Sequence, residues 1–351
     1  MSTNAGLELN REYPEANERE TVEKLVSSLK RVIEGRFLTG LTYRDVHVKG
    51  HAAVKAEFVV EPDLPADLRI GVFKEARSFP AWIRYSNAGH FPAPDIKGDI
   101  RGMAIKVMGV PGKKLLGPQE DAQTHDFLFL STNVFLTSTA YDFYKFVETG
   151  ALNYQRSLLD FLKIAWFILG HFKVGVGLLA NAKKFPSLLE MDWYSATPYL
   201  YGARAVKYRL RPWQKAVRQL PRNPSNNFLR ERLAEDLAKD GAGFDFMVQL
   251  QRDPHREPVE DALVPWEEAH APFQKIATLR IPAQKIDTPE QMLFAENLSM
   301  NPWHCLPEHR PIGGVNRVRR EVYFAISQFR HQRNAVPVQE PTPETQVRQQ
   351  G

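Results

Sequence analysis

The sequence predicts an α+β fold in which an antiparallel β-sheet or barrel is accompanied by helices. Short segments rich in alternating or β-branched apolar residues are separated by Pro and Gly, which is typical of antiparallel strands. They lie at residues 46–60, 81–85, 100–107, 126–130, 205–210 and 244–250. Hydrophobic residues make up 43% and charged residues 25% of the 351 residues, so the chain can form a core large enough to enclose a ligand.

Helical patterns lie before, between and after these strands. Residues 18–36 place apolar side chains at helical spacing, and residues 227–239 predict a charged helix. Residues 289–333 are predicted to be helical at both ends, around a centre rich in turn residues.

The chain divides into three predicted parts. They are an N-terminal helical extension over 1–39, one domain over 40–335, and a tail over 336–351 with the composition of a disordered end. The first residues are polar and acidic, without the basic start and apolar stretch of a signal peptide. The single cysteine, Cys305, excludes an internal disulfide, and a chain kept reduced in the cytoplasm is the simplest interpretation.

The most apolar segment is 158–179, within a region of helical pattern. It is interrupted by Asp160, Lys163, His171 and Lys173, whereas a membrane span needs about 20 nearly uncharged residues. A helix that is buried or faces another subunit is the favoured interpretation, and we expect a homo-oligomer, most simply a dimer. An interfacial helix in peripheral contact with a membrane is the second interpretation, and a true span is the least favoured.

Positive charge is concentrated near the C-terminal end. The net charge is only +5, but six arginines lie within residues 310–333: Arg310, Arg317, Arg319, Arg320, Arg330 and Arg333. This local excess requires an anionic partner or a solvated helix face. We expect no nucleic acid partner, because no recognised nucleic-acid-binding module is present.

Four short segments, far apart in the chain, carry the residues that point to a function. Residues 44–51 read Arg-Asp-Val-His-Val-Lys-Gly-His, with His47 three residues after Arg44. Residues 84–87 read Arg-Tyr-Ser-Asn, and residues 99–106 read Asp-Ile-Arg-Gly-Met-Ala-Ile-Lys. Residues 319–323 read Arg-Arg-Glu-Val-Tyr, and a further arginine follows seven residues later.

In this order the segments resemble the haem-binding elements of catalases, and especially of the smaller catalase-related haem proteins. The similarity extends over roughly residues 40–333. It implies a catalase-like antiparallel β-barrel that holds a b-type haem between its wall and a C-terminal helix, with other helices packed outside. It also implies haem-dependent turnover of hydrogen peroxide or of organic hydroperoxides, including fatty-acid hydroperoxides as in the related allene oxide synthases.

On the proximal side, the resemblance implies Tyr323 as the axial ligand of the haem iron and Arg319 as its activator. A phenol with a pKa of about 10 binds iron as an anion only if its charge is stabilised. Arg319 lies four residues before Tyr323, on the same face of a helix. Arg44, Arg84 and Arg330 supply the guanidinium groups that two propionate carboxylates need.

On the distal side, the resemblance implies His47 as the catalytic acid and base, oriented by the hydroxyl of Ser86. Imidazole is suited to moving a proton between the two oxygens of a peroxide near neutral pH. His51 is the rival, because in a strand it lies on the same face as His47. The position of Arg44 favours His47.

One segment departs from the family pattern. Catalases carry a distal Asn followed two residues later by Pro, and alignment on Val134-Phe135 puts Ser131 at the Asn and Asn133 at the Pro. As a catalytic residue, Ser131 offers one donor where Asn offers two, so we expect poor ordering of hydrogen peroxide and a preference for bulky or fatty-acid hydroperoxides. In the alternative register, Asn133 itself is the distal amide.

Other functions stay open at this stage. A non-catalytic haem carrier or sensor would need the same ligands. Tyr323 could instead be an ordinary packing tyrosine. Cys305 could be a thiolate ligand, although a small buried thiol is its default role.

Overall fold

The computed structural model describes residues 6–44, 46–153, 155–214 and 217–345, except for the side chains of Leu178 and Leu179. Within them, nine strands form one sheet in which all neighbouring strands are antiparallel. The strands are β1 (Gly50–Val60), β2 (Ser78–Asn87), β3 (Arg101–Met108), β4 (Thr124–Leu130), β5 (Trp193–Tyr194), β6 (Tyr199–Tyr201), β7 (Arg204–Pro212), β8 (Ala242–Leu250) and β9 (Phe273–Ile281).

The sheet closes into a barrel. Its strands follow one another in the order β5-β4-β3-β2-β1-β9-β8-β7, and β5 also pairs with β7. These eight strands form the closed ring, while β6 pairs with β7 beside it. The predicted α+β fold with an antiparallel β-barrel is therefore confirmed.

Aromatic side chains fill the interior of the barrel. The ring centroids of Phe58 and Phe127 are 5.9 Å apart, and that of Phe246 lies 5.2 Å from Phe58 and 5.0 Å from Phe127. All three side chains are buried. An eight-stranded barrel is just wide enough for side chains to fill it, so a large ligand has to bind outside the ring.

Seven α-helices surround the barrel in the described chain. They are α1 (Glu18–Arg36), α2 (Ala140–Glu148), α3 (Leu158–Gly170), α4 (Phe172–Asn181), α5 (Phe228–Lys239), α6 (Pro289–Asn297) and α7 (Gly314–Arg333). Helix α5 buries its apolar residues in the main core, and α6 packs against β1. Helices α1, α2 and α7 pack on one another and form a separate apolar layer.

Acidic residues of the N-terminal region fix the start of α7. The guanidinium of Arg317 forms ion pairs with Glu12, Glu18 and Glu260, at N–O distances of 2.6 to 3.1 Å. The backbone N–H of Gly313 donates to Glu12. Part of the C-terminal positive charge therefore has its anionic partner within the same chain, in the Glu-rich N-terminal region.

Four strands differ from the predicted set. Strand β1 begins at Gly50 rather than at residue 46, because His47 has a left-handed backbone with φ of 61°, which a strand does not adopt. Strands β5, β6 and β9 lie where no strand is predicted. The first two have only two and three residues, and residues 276–279 of β9 are buried on both faces, so burial does not alternate there.

Residues 158–179 do not form one helix. Helix α3 ends at Gly170, His171 has a non-helical backbone, and α4 begins at Phe172. Most of the large apolar side chains of α3 are exposed. The interpretation as a helix buried within the chain is therefore wrong, because the apolar residues of α3 outnumber those that its one packed face can bury.

The segment predicted as a disordered tail makes a specific contact. Residues 336–345 contain no helix or strand, but the Glu340 carboxylate lies 2.6 Å from the Lys106 ammonium. It also accepts a hydrogen bond from the Thr124 hydroxyl at 2.7 Å. The amino-acid composition of the segment does not reveal this contact, because the contact depends on a single ion pair between Glu340 and the buried Lys106.

Candidate functional site

A cavity of about 230 Å³ lies between the outer face of the barrel and the layer of α1, α2 and α7. A single water molecule needs only about 10–15 Å³, so the space is large enough for a substantial ligand. Apolar side chains of the three helices close it on one side, namely Leu25, Leu29, Ala140, Phe143, Val318, Val322 and Ile326. The N-terminal helix α1 thus forms part of the cavity wall.

The barrel side of the cavity is the outer face of β2, β3 and β4. Successive side chains of a strand point to opposite faces, so Tyr85 and Met103 fill the core while their even-numbered neighbours face outwards. Ser86, Gly102 and Leu130 are neighbours across the three strands, and in the next row Arg84, Ala104 and Leu128 are neighbours. The small residues of β3 leave space along the middle of this wall.

His47 lies on this wall, just before β1. Its Nδ1 is 3.0 Å from the hydroxyl oxygen of Ser86, and its carbonyl accepts a hydrogen bond of 3.2 Å from the Arg84 guanidinium. A Cβ atom at Gly102 would lie 2.4 Å from Cε1 of His47, so the imidazole rests directly on this glycine. The left-handed backbone of His47 is uncommon for a residue other than glycine, and such strain is found most often at functional sites.

The environment keeps the imidazole of His47 uncharged. Burial, and after it the positive charges of Arg84, Arg319 and Arg44, lowers the pKa of His47 to about 3. The ring is therefore in its basic form at neutral pH. The uncharged ring is the form from which a catalytic base starts.

The rival, His51, does not reach the cavity. It is fully buried in β1, where its Nε2 lies 2.7 Å from the side-chain oxygen of Asn87. Asp95 accepts hydrogen bonds from Asn87 and from the backbone of Leu229, so the polar groups here belong to a structural network. The argument that His51 shares a face with His47 fails because His47 lies outside the strand.

Tyr323 and Arg319 line the same cavity from α7. The guanidinium of Arg319 donates to the phenol oxygen of Tyr323 at 3.2 Å, one helical turn away. Asn316 holds this guanidinium through a second hydrogen bond of 3.0 Å, and its own amide donates to the carbonyls of Pro198 and Ile312. Arg319 is thus fixed beside the phenol, where its charge can stabilise a phenolate.

Three arginines gather at another part of the cavity. Arg44, Arg84 and Arg330 line it from the segment before β1, from β2 and from α7. The carboxylate of Glu296 lies 3.2 Å from Arg44, 3.8 Å from Arg84 and 3.3 Å from Arg330. Burial, together with repulsion from Arg44, lowers the pKa of both Arg84 and Arg330 to about 9. Three guanidinium groups share one carboxylate, so this corner has room for about two more negative charges.

The donor set defines the kind of ligand that fits. The arginine corner suits two carboxylates, since guanidinium groups bind carboxylates in a fixed, bidentate geometry. The residues that line the rest of the cavity are mostly apolar. Tyr323 and His47 add two groups that can act at a metal. These donors suit a largely apolar cofactor that carries two carboxylates and a metal ion.

The structure does not bring Ser131 into the cavity. Its hydroxyl accepts a hydrogen bond of 2.9 Å from the backbone N–H of Arg101, at the end of the β3–β4 ladder. Asn133 is exposed. Among the described residues that line the cavity there is no asparagine or glutamine, so neither register of this segment supplies a distal amide. Phe135 and Leu136 from the same segment do line the cavity, whereas Ser131 and Asn133 are not among its lining residues.

Several residues of the site have no predicted role. Glu296 balances the arginine corner, Asn316 and Thr197 position Arg319, and Gly102 makes room for His47. The sequence holds one usable signal, because Asn316 lies three residues before Arg319 and therefore shares its helix face. The other contacts join residues that are distant in sequence, and no local pattern reveals them.

Comparison with solved structures identifies the fold. The chain has the catalase fold: it resembles a fungal catalase (TM-score 0.65, 16% identity), a bacterial catalase (0.63, 15%) and catalase A from Saccharomyces cerevisiae (0.64, 15%). In each case the match covers 94% of this chain, and it covers 66%, 63% and 68% of the respective catalase. The chain thus spans about two thirds of the length of these catalases. No protein-family model and no curated sequence matches it.

Proposed function

We propose that the chain is a haem-dependent hydroperoxidase that binds one b-type haem in this cavity. One observation carries the proposal: His47 with Ser86 on the barrel wall and Tyr323 with Arg319 on α7 line the same cavity. The arginine corner supports it, because it lacks about two negative charges. The catalase fold supports the class of cofactor.

Each side of the cavity has a role in holding the cofactor. Arg44, Arg84 and Arg330 would bind the two propionates, and Tyr323 would ligate the iron as a phenolate whose charge Arg319 would balance. When bound, haem supplies a ferric iron at which the O–O bond of a peroxide can be cleaved.

His47 moves the proton during this cleavage. Its Nδ1 contacts Ser86, which fixes the ring and leaves Nε2 for the substrate. Nε2 takes the proton from the near oxygen of the peroxide and returns it to the departing oxygen. Because the pKa of His47 is about 3, the ring starts in the form that accepts a proton.

The lining of the cavity favours an apolar hydroperoxide over hydrogen peroxide. No amide side chain is found among the described lining residues, so a small peroxide has few donors to order it. A fatty-acid chain gains about 0.8 kcal/mol for each methylene that it buries. The apolar residues Leu128, Leu130, Leu136 and Phe143 offer such a surface.

A comparison of two substrates tests the function. We expect the haem-loaded protein to consume a C18 or C20 fatty-acid hydroperoxide with a kcat/KM at least about 10-fold above that for hydrogen peroxide. Product analysis then separates isomerisation from reduction by an added donor. Turnover of neither substrate by the haem-loaded protein would contradict the hydroperoxidase and favour a carrier or sensor. Rapid dismutation without preference for the organic substrate would contradict the substrate class.

The contact between Gly102 and His47 gives a separate prediction. In Gly102→Ala the new methyl group has to displace the imidazole, and a shift of about 1 Å at a catalytic group can cost roughly 100-fold in rate. We expect hydroperoxide turnover to fall by that order while the haem content, read from the Soret band, is retained. Gly117→Ala is the matched control, because a Cβ at Gly117 meets no atom within 4 Å. Unchanged turnover in Gly102→Ala would show that His47 is not held in this position during catalysis.

A further inference from the structure

Helices α3 and α4 expose an unusual number of large apolar side chains. Of the seventeen large hydrophobic residues that are exposed in the described chain, eight lie between residues 158 and 176. We call them the hairpin surface: Leu158, Leu159, Phe161, Leu162, Trp166, Leu169, Phe172 and Val176. The exposed fraction reaches 77% at Trp166 and 72% at Leu169. A contiguous apolar surface of this kind marks an interaction site.

Six of the eight residues of the hairpin surface lie on α3, which is a well-formed helix. Ser157 and Asp160 form a capping box at the start of α3, each side chain bonded to the other's backbone N–H. The opposite face of α3 is packed, with the Phe167 ring 5.7 Å from Phe146 of α2 and stacked at 4.1 Å on His171. At 100° per residue, Leu162, Trp166 and Leu169 fall on the side away from Phe167. The apolar face is therefore presented by a folded helix whose packed side is already in use.

Basic side chains lie within and next to the hairpin surface along the chain. Lys163, Lys173, Lys183 and Lys184 are exposed, and Arg156 donates to the Ala151 carbonyl while its guanidinium lies over the Phe91 ring. Asp160 is the one carboxylate between residues 155 and 184, and the capping box already engages it. Lys163 lies at the flank of the apolar face, where its long side chain can reach outwards while its stem lies on apolar groups. An apolar face with a basic border is typical of helices that lie in the surface of an anionic membrane.

We propose that the hairpin surface docks the protein peripherally on an anionic lipid bilayer. In the described chain, none of the helices combines the length and the apolar character needed to cross a membrane. A second copy of the chain is a poorer occupant, because a twofold contact through this face would bring the basic borders of both copies together. Phospholipid headgroups instead supply the opposite charge, and their acyl chains accept Leu162, Trp166 and Leu169.

The location of the surface suits a lipid substrate. Helix α2 lies between the two sites: Phe143 lines the cavity, and Phe146 contacts Phe167 of α3. Docking would place this side of the cavity towards the bilayer, from which a fatty-acid hydroperoxide could enter. This link rests on the proposed function, whereas docking itself requires neither haem nor turnover.

Co-sedimentation of the full chain with vesicles tests the docking. We expect binding to vesicles of phosphatidylcholine with about 30% phosphatidylglycerol, and at least about 10-fold weaker binding to pure phosphatidylcholine. In the double variant Leu162→Glu/Leu169→Glu, binding to the anionic vesicles should weaken at least about 10-fold. In Lys163→Glu/Lys173→Glu, it should weaken about 5-fold or more for each charge that is reversed. Leu41→Glu/Leu293→Glu, at exposed leucines elsewhere, is the matched control and should bind normally.

Two results would overturn the inference. The first is equal binding of the unaltered protein to neutral and anionic vesicles, or binding that survives Leu162→Glu/Leu169→Glu. The second is a dimer in size-exclusion chromatography that this double variant converts to a monomer, with no vesicle binding by the unaltered chain, since the surface would then belong to a second copy. Neither result depends on peroxide turnover. Failure of the proposed function is therefore distinguished from failure of docking.

Discussion

Tyr323→Phe is expected to fold normally and to lose haem. The phenol is the one anionic ligand that the cavity offers on α7, and among the described lining residues no cysteine or second tyrosine can replace it. Substitution of residues that only support a metal ligand costs about 10–100-fold in affinity, so loss of the ligand itself should cost more than about 100-fold. Titration of the haem-free variant with hemin, followed at the Soret band, measures this.

Tyr85→Phe provides the matched control. Tyr85 is fully buried inside the barrel, and its hydroxyl has no hydrogen-bond partner, so its removal should not lower stability and should leave haem affinity unchanged. Arg319→Ala should weaken haem retention more at neutral pH than at high pH, because the phenolate loses its counter-charge. A Tyr323→Phe protein with an unaltered ferric spectrum and affinity would refute the assignment of the ligand.

His47→Ala is expected to keep the haem and to lower hydroperoxide turnover by about 100-fold or more, the usual scale for a general acid and base. The pKa of His47 is lowered to about 3, so the imidazole stays neutral as the pH falls from 8 to 5. The ratio of wild-type to variant turnover should therefore be nearly constant over that range. Stopped-flow assays at several pH values measure it.

His90→Gln is the control for this prediction, because His90 also lines the cavity. We expect His90→Gln to retain most of the turnover, and Ser86→Ala to lose about 10-fold, because Ser86 only orients the base. If His90→Gln loses hydroperoxide turnover while His47→Ala keeps it, then His47 is not the catalytic base. A ratio that rises steeply below pH 7 would contradict the neutral state of His47.

The barrel and the site were predictable to different degrees. Strands β2, β3, β4, β7 and β8 carry alternating or β-branched patterns between Pro and Gly, and the structure confirms a strand at each. The cavity also gathers His47, Arg44, Arg84, Tyr323 and Arg330, which lie in separate segments of the sequence. Spacing within a segment carried part of this information, because Arg319 and Tyr323 lie four residues apart on a helix and Arg84 and Ser86 lie two apart on a strand, so each pair shares a face.

Features that depend on contacts between distant segments were not predictable. Glu296 meets three arginines from three different elements, and Glu340 reaches Lys106 across the chain. Ser131 is a further example, because its hydroxyl accepts a hydrogen bond from the backbone N–H of Arg101, which lies 30 residues earlier in the chain. A local sequence pattern does not show which hydrogen bonds and ion pairs form between residues that are distant in the chain.

The hairpin of α3 and α4 shows where hydropathy alone is ambiguous. Apolar content alone fits a buried helix, a subunit contact or a membrane surface, and the sequence favours the first two. The structure excludes the buried helix, because the packed face of α3 holds Phe167 while the side chains of Leu162 and Trp166 are exposed. Exposure, rather than apolar content, indicates that the segment has a partner.

Titration of the unaltered protein with hemin, followed by resonance Raman spectroscopy of the complex, tests the central claim most directly. We predict saturation at one haem per chain and vibrations of an iron-bound phenolate, which disappear in Tyr323→Phe. Binding without a defined stoichiometry, or a saturated complex that shows histidine or thiolate ligation and no phenolate bands, would contradict the account.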